Sequence, residues 1–222
     1  MSETQGLERG TQGKAIAMDQ LRRAIRQGEV APGQRLVEAE LVEQFGVTRG
    51  SVRAAIDELV AEGLVERIHN RGARVRKVSR GAAIEILECR KVLEGLIAAK
   101  AAQHATAADR DRLREYGEQL TAAVRDGEPM KYSSLNHELH AALRDIAGQA
   151  TAADLIDRLN AQIVRHQFQL SLRPGRPQVS LREHLAVVEA VVRGDSAGAE
   201  QAMRNHLDSV IAALDESAEQ AP

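Results

Sequence analysis

Three histidines in the C-terminal half of the chain are spaced so that separate helices could bring them together. His140 ends the segment NHELH, His184 lies in REHLAVVEAV and His206 lies in MRNHLDSV. Asn136 precedes His140 by four residues, which places both side chains on one face of a helix. Three imidazoles with one oxygen ligand suit Zn²⁺, Ni²⁺, Mn²⁺ or Fe²⁺. The spacing alone fits three histidines satisfied within a helical core equally well.

A second set of side chains suited to chemistry lies in the stretch FGVTRGSVRAAIDELVAEGL, residues 45–64. Apolar residues recur there at helical spacing, which predicts a helix over residues 47–62, here called the reading helix. The outer face of its first turns carries guanidinium and hydroxyl groups, which can bind base edges and phosphates in the major groove of DNA. These groups belong to Thr48, Arg49, Ser51 and Arg53, with Thr48 also a suitable N-cap. An ordinary amphipathic helix with a solvated arginine face would show the same pattern.

The elements around the reading helix predict a winged helix-turn-helix domain over residues 14–78. They are helices at 14–27 and 38–45, a short extended segment at 35–37, the reading helix, and two strands at 64–68 and 73–78 joined by a turn at 69–72. Asn70 and Arg71 lie at the tip of the predicted hairpin. Both side chains are candidates for contact with the minor groove or its phosphates.

The rest of the chain predicts an all-α antiparallel bundle, so the fold class is mainly α. Residues 79–82 form a short connector, and the bundle extends over residues 83–214. Six helices are expected, separated by Gly- and Pro-containing breaks, at 83–103, 107–126, 130–147, 151–171, 180–193 and 196–214. The polar ends, residues 1–13 and 215–222, are expected to be disordered.

Composition narrows the class of function. Aromatic residues are 2% of the chain and Trp is absent, which argues against stacking on single-stranded nucleic acid. One cysteine, Cys89, excludes an internal disulfide, and no apolar run of about 18 residues or charged leader suggests a membrane span or signal peptide. A cytoplasmic location is therefore expected.

Charge is unevenly distributed along the chain. Residues 1–80 carry 14 Lys and Arg against 11 Asp and Glu, whereas residues 81–222 carry 16 Lys and Arg against 21 Asp and Glu. This division suits a DNA-binding head joined to a different kind of domain.

Residues Gly28–Val75 resemble the DNA-binding domain of the GntR superfamily of bacterial regulators. The resemblance is carried by PGQRLVEAELVEQFGVTRGSVRAAIDELVAEGLVE and by NRGARV. It implies contact with operator DNA from Arg35, Thr48, Arg49, Ser51, Arg53 and the hairpin Gly72. The family usually has a second Thr or a Thr-Pro pair where this chain has Gly50-Ser51. Some members carry an Arg that contacts DNA at the position of Ala39. These two departures leave the operator sequence undetermined, although they do not affect the expectation that the domain binds DNA.

The C-terminal half resembles the ligand-sensing FCD domain of the FadR/VanR branch of this superfamily. The matching pieces are Asn136–Leu143, His184–Gly194 and His206. The resemblance implies that a divalent metal is bound by Asn136, His140, His184 and His206. Asn136 stands where the family usually has Asp, and its neutral carbonyl is a poorer ligand than a carboxylate. Arg90, in ECRKVLEG, matches a family arginine that tends to face the pocket, where it could bind an effector carboxylate.

Together these resemblances cover about residues 14–214 and imply a metabolite-responsive transcription regulator, with repression as the expected mode. It would act as a homodimer on pseudo-palindromic, double-stranded operator DNA. Zn²⁺ or Ni²⁺ is expected ahead of Mn²⁺ or Fe²⁺, and a small carboxylate is expected as effector. Two alternatives stay open: a metal-dependent hydrolase with a three-histidine site, and a constitutive DNA-binding protein with a purely structural bundle. Against a hydrolase, the sequence shows no carboxylate at a recognisable spacing from the histidines that could act as the general base.

Overall fold

The computed structural model of the chain describes residues 3–69 and 71–216. The chain divides between Val78 and Ser79 into two compact units, with residues 160–165 grouped with the first unit. No helix in the described part of the chain combines the length and the apolar character needed to cross a bilayer.

The first unit is a winged helix-turn-helix, as predicted. Its elements are α1 Glu3–Gln27, β1 Arg35–Leu36, α2 Glu38–Phe45, α3 Arg49–Ala61, β2 Val65–Ile68 and β3 Gly72–Val75. The strands form an antiparallel sheet in the order β1-β3-β2, so the short extended segment found in the sequence adds an edge strand to the hairpin. α3 corresponds to the reading helix, and its buried face includes Ile56 and Leu59.

The turn between α2 and α3 follows from two residues. Gly46 ends α2 in the left-handed conformation, at φ 63°, where a side chain would be strained. Thr48 then caps α3, because its hydroxyl accepts a hydrogen bond from the backbone N–H of Ser51 at 3.2 Å. These two residues fix where the reading helix begins and therefore which side chains occupy its first turn.

The first helix is longer than the sequence predicted. α1 begins at Glu3, whereas the sequence placed its start at Lys14 and predicted residues 1–13 to be disordered. No proline interrupts residues 3–27, and adding residues to an existing helix costs much less than starting one. The extension brings Gly13 against the start of α3, where an added Cβ would lie 2.6 Å from the Ser51 hydroxyl. The predicted N-terminal arm is thus helical within the described residues.

The second unit contains six helices in its described part, as predicted. They are α4 Arg80–His104, α5 Ala107–Arg125, α6 Pro129–Ala147, α7 Ala150–Ser171, α8 Arg176–Arg193 and α9 Ser196–Glu216. Their largest fully buried side chains are aliphatic, and include Leu87, Ile97, Leu139, Leu143 and Met203. The lone Cys89 is exposed on α4.

Two helix starts in the second unit differ from the prediction. Ser79 caps α4 by accepting a hydrogen bond from Ala82 N–H at 3.2 Å, so the predicted connector at 79–82 is the start of a helix. α8 begins at Arg176 instead of Ser180, because a proline in the first turn has no intrahelical hydrogen bond to lose. The sequence predicts Pro177 within a break between helices. At the other end, α9 reaches Glu216, and residues 217–222 of the predicted tail lie outside the described part.

Candidate functional site

The structure brings together the three histidines that the sequence singled out, one each from α6, α8 and α9. One ring nitrogen of each lies within 4.8 Å of those of the other two. The Nε2 atoms of His140 and His184 are 3.3 Å apart. His184 and His206 are 1% and 6% exposed, and the side chain of His140 is 12% exposed. Three imidazole nitrogens therefore converge between the helices, in a space that is largely shielded from solvent.

Each of these histidines is held at its other ring nitrogen, Nδ1. Such contacts fix the orientation of the ring and, when a metal binds at Nε2, the tautomer that carries its proton on Nδ1. The pairs are His140 with Glu94 Oε2 at 2.8 Å, His184 with the Tyr132 hydroxyl at 3.0 Å, and His206 with Glu183 Oε2 at 2.7 Å. In all three rings Nε2 is consequently the nitrogen available for a ligand.

Arg90 lies behind the first of these pairs. It is 5% exposed, and its Nε donates to Glu94 Oε1 at 2.8 Å, with a second bond from Nη2 to the same oxygen. Glu94 thus bridges Arg90 and His140. Arg90 Nη1 is buried and has no hydrogen-bond partner in the described part of the chain. An unsatisfied guanidinium donor in such a position is costly, unless a ligand accepts from it.

Arg176 lies behind the third pair in the same way. It is buried, and its Nη2 donates to Glu183 Oε2 at 3.2 Å while Nη1 donates to the Ser209 hydroxyl at 2.7 Å. Glu183 therefore bridges Arg176 and His206. Each carboxylate near the histidines is balanced by one arginine, so the two arginine–carboxylate pairs add no net charge to the site.

Burial and charge set the protonation states of these groups. Burial lowers the pKa of His184 well below its usual value, and the neighbouring His206 and His140 lower it further. Burial also lowers the pKa of His206, although Glu183 opposes the shift. Burial would raise the pKa of the Glu94 carboxyl, but Arg90 and His140 outweigh it and hold that pKa well below its usual range. Neutral imidazoles beside ionised carboxylates are the forms that favour a metal cation.

Asn136, the fourth residue assigned to the metal by resemblance, lies one turn before His140 on α6. It is half-buried, and its Oδ1 is shielded from solvent without a hydrogen-bond partner in the described part of the chain. A carbonyl oxygen left in this state is available to a cation or a ligand donor. Three imidazoles joined by such an amide oxygen would suit a divalent transition metal.

The predicted DNA-reading residues occupy the first unit. Arg49 and Arg53 are exposed at the start of α3, and Arg35 is exposed at the start of β1. A cleft of about 230 Å³ is lined by Arg35, Arg49 and Gly72 among others. Glu38 also lines this cleft, and its carboxylate accepts hydrogen bonds from Arg53 Nε. The structure therefore brings residues from the reading helix, β1 and the hairpin to one surface.

The other predicted DNA contacts have different surroundings. Ser51 is 4% exposed and its hydroxyl lies 2.9 Å from that of Thr48, so the prediction that its side chain lies on the outer face of α3 was wrong. The helical extension of α1 reaches this position, because Ser51 Oγ donates to the backbone carbonyl of Gly10 at 3.4 Å. Thr48 and Arg71 are exposed, and Gly72 has φ +85° with no atom near an added Cβ. Asn70 lies outside the described residues.

Sequence reasoning missed four residues around the histidines. They are Glu94, Tyr132, Arg176 and Glu183. Two had a readable signal: Tyr132 precedes Asn136 and His140 at steps of four, on one helix face, and Glu94 follows Arg90 by four. Arg176 was hidden by its assignment to a loop.

Two protein families match the chain. Residues 14–75 match the family of bacterial regulatory proteins called gntR, and residues 85–209 match the FCD domain. The chain is 30% identical over 190 residues to the HTH-type transcriptional repressor RspR of Escherichia coli K12, a match that covers 86% of this chain and 83% of RspR. It is 28% identical over 207 residues to the HTH-type transcriptional regulator LutR of Bacillus subtilis 168, covering 84% and 94% respectively.

The fold is also found in a solved structure. The chain matches E. coli McbR/YncC with a TM-score of 0.80 at 21% sequence identity, covering 93% of this chain and 98% of that chain. The domains and the relatives are those of transcription regulators and not of enzymes, so the hydrolase alternative is not favoured. This protein belongs to the GntR family of bacterial regulatory proteins, as a transcription regulator with an N-terminal DNA-binding domain and a C-terminal FCD domain.

Proposed function

We propose that this regulator represses transcription as a homodimer bound to a pseudo-palindromic, double-stranded operator. Its affinity for the operator would be controlled by a small carboxylate effector, which binds together with a divalent metal. The observation that carries the proposal is the convergence of one ring nitrogen from each of three histidines, each of which is also held by a partner at Nδ1. The repressor role is supported by the relative RspR, whose name describes a transcriptional repressor. The pseudo-palindrome follows from a homodimer, because one reading helix spans only a few base pairs.

His140, His184 and His206 would hold the metal, with Asn136 Oδ1 as the fourth protein donor. Zn²⁺ and Ni²⁺ suit this nitrogen-rich set best, and Mn²⁺ and Fe²⁺ are the alternatives. When bound, the metal supplies a positive, Lewis-acidic docking point for an oxygen anion. The low pKa values of His184 and His206 keep their rings neutral, so they are ready to donate lone pairs near pH 7.

The charges around the site favour an anionic effector. Glu94 and Glu183 are each paired with an arginine, and Asn136 is neutral where the family usually has Asp. A divalent cation held by these residues would therefore keep most of its charge. Arg90 Nη1, buried and unpartnered in the described part of the chain, offers a second point of attachment for a carboxylate. A small carboxylate could satisfy both groups at once.

The metal part of the proposal is tested by titrating metal-stripped protein with Zn²⁺ in a calorimeter. Wild type should bind about one ion per chain, whereas His184→Ala and His206→Ala should lose most of the affinity. His69→Ala is the matched control, because His69 is exposed on the first unit. Retention of wild-type Zn²⁺ affinity by both site variants would contradict the metal site.

The effector part is tested by a thermal-shift screen of small organic acids, with and without Zn²⁺. An effector should raise the melting temperature more with metal than without, and Arg90→Met should weaken its binding. The effector should also change the affinity of the protein for an operator duplex, which would not occur in a constitutive DNA-binding protein.

The homodimer is tested by sedimentation. At micromolar concentration the protein should sediment as a dimer, and a monomer both with and without DNA would exclude the homodimer.

A further inference from the structure

Glu38 occupies a position between the two arginines of the reading helix. It lies in the first turn of α2, and both of its carboxylate oxygens accept from Arg53 Nε, at 2.8 and 3.0 Å. Its Oε2 is also 3.4 Å from Arg49 Nε. The Glu38 side chain is 24% exposed, compared with 65% for Arg49 and 59% for Arg53. One half-buried carboxylate thus holds two exposed guanidinium groups.

The way in which these arginines are held determines what they can still do. The contacts with Glu38 use the Nε edge of both side chains. The contacts described for these two arginines do not use their Nη atoms, so these donors stay available for guanine O6 and N7. Fixing a long side chain in advance also lowers the rotamer entropy that is lost when it binds. Glu38 can therefore hold both guanidinium groups in orientations suited to binding base edges.

The same carboxylate places a negative charge on the surface expected to face DNA. Glu38 lines the cleft of about 230 Å³ that also includes Arg35, Arg49 and Gly72. A charge in this place repels the phosphate backbone of any duplex, whatever its sequence. A duplex that offers the correct base edges to the arginines recovers this cost, and other duplexes do not.

We propose that Glu38 is a positioning residue that determines specificity in DNA recognition. It orients Arg49 and Arg53 towards base edges, and its charge weakens binding to duplexes that do not satisfy them. This inference rests on the proposed reading role of the two arginines. It predicts that loss of Glu38 lowers the ratio of specific to non-specific affinity, instead of lowering all DNA binding together.

The test compares two duplexes. One is selected by wild-type protein from a randomised library, and the other has the same length and composition in scrambled order. Dissociation constants for both are measured at several salt concentrations. Glu38→Gln should bind the scrambled duplex about twofold to tenfold more tightly, as expected for removing one exposed repulsive charge. It should bind the selected duplex no better than wild type, so the specificity ratio falls.

Two further variants separate positioning from charge. Glu40→Gln is the matched control, because Glu40 is an exposed acidic residue in the same turn of α2. It should change both affinities by a similar factor and leave the ratio within about twofold. Glu38→Asp keeps the charge on a side chain too short to hold both arginines. It should weaken the selected duplex without tightening the scrambled one.

The outcomes are distinguishable from failure of the proposed function. If Arg49→Ala and Arg53→Ala lower the specificity ratio but no Glu38 variant does, the role of Glu38 is overturned and the reading role stands. An equal change of ratio in Glu38→Gln and Glu40→Gln overturns it as well. If neither arginine variant changes the ratio, the reading role of the two arginines and the role of Glu38 are both wrong. Thermal melting of each variant confirms that the comparison is made between folded proteins.

Discussion

Replacing Glu94 with Gln tests the architecture of the candidate metal centre directly. Glu94 is 2% exposed and bridges Arg90 and His140. Gln keeps the size of the side chain but removes its charge. Arg90 and His140 contact different oxygens of Glu94, and the single oxygen of Gln can take the place of only one of them. His140 then loses the carboxylate that orients its ring, which typically lowers metal affinity by about tenfold to a hundredfold, or about 1.4–2.7 kcal/mol.

The substitution should also destabilise the fold. It leaves the Arg90 guanidinium buried without an anionic partner, and breaking a buried ion pair costs about 3–5 kcal/mol, with the remaining amide oxygen reducing this loss. The double variant Glu94→Gln with Arg90→Met removes the stranded charge. It should recover part of the free energy of unfolding but none of the lost Zn²⁺ affinity. The two effects can thus be assigned separately.

The assay is calorimetric titration of metal-stripped protein with Zn²⁺, together with urea unfolding of the same samples. Glu88→Gln is the matched control, because Glu88 is exposed on the same helix. It should leave both Zn²⁺ affinity and stability close to wild type. The reasoning would be refuted if folded Glu94→Gln bound Zn²⁺ within about twofold of wild type, since a carboxylate that orients a ligand should matter more.

Three further predictions concern Asn136, the buried histidines and Arg49. Asn136→Asp should bind Zn²⁺ without effector about tenfold more tightly, because a carboxylate offsets part of the charge of the ion, and unchanged affinity in calorimetry would contradict the charge argument. Apo-protein stability should fall below about pH 6.5, because His184 and His206 have pKa values lower when folded than when unfolded, so that the unfolded chain takes up more protons. Urea unfolding at pH 7.5 and 5.5 should show this loss, up to about 1.4 kcal/mol per pH unit for each histidine, and a smaller loss in His184→Gln. Arg49→Ala should cost about 1–3 kcal/mol in binding to a selected duplex and relax specificity at one base pair, as measured by repeated selection.

The sequence predicted the elements that local rules specify. Apolar periodicity located the reading helix, and Gly- and Pro-containing breaks located the helices of the second unit. The convergence of His140, His184 and His206 was compatible with their place on separate helices, but it was the resemblance to the FCD domain that implied a shared site. The partners of their Nδ1 atoms were not predicted, because they depend on which helix faces come together. Glu94 and Tyr132 lie on α4 and α6, and nothing in the spacing between these helices shows which histidine each will meet.

Two errors in the prediction have local causes. Pro177 was treated as a helix breaker, although the first turn of a helix tolerates proline, and this concealed Arg176. The polar residues before Lys14 were treated as disordered, because composition alone does not show that an adjoining helix can be extended through them. The wrong prediction for Ser51 has the same cause as the second error, because the added turns of α1 approach the start of α3 and cover this side chain.

The position of Cys89 gives the chain a built-in attachment point for a spectroscopic probe. It is the single cysteine of the sequence, it is exposed, and it directly precedes Arg90, whose side chain is buried. A nitroxide on this thiol would report on α4 from its exposed surface, without any substitution in the protein. In a homodimer two such probes would define one inter-protomer distance by pulsed electron resonance. Recording that distance with and without Zn²⁺ and organic acids would measure directly how far α4 moves between protomers.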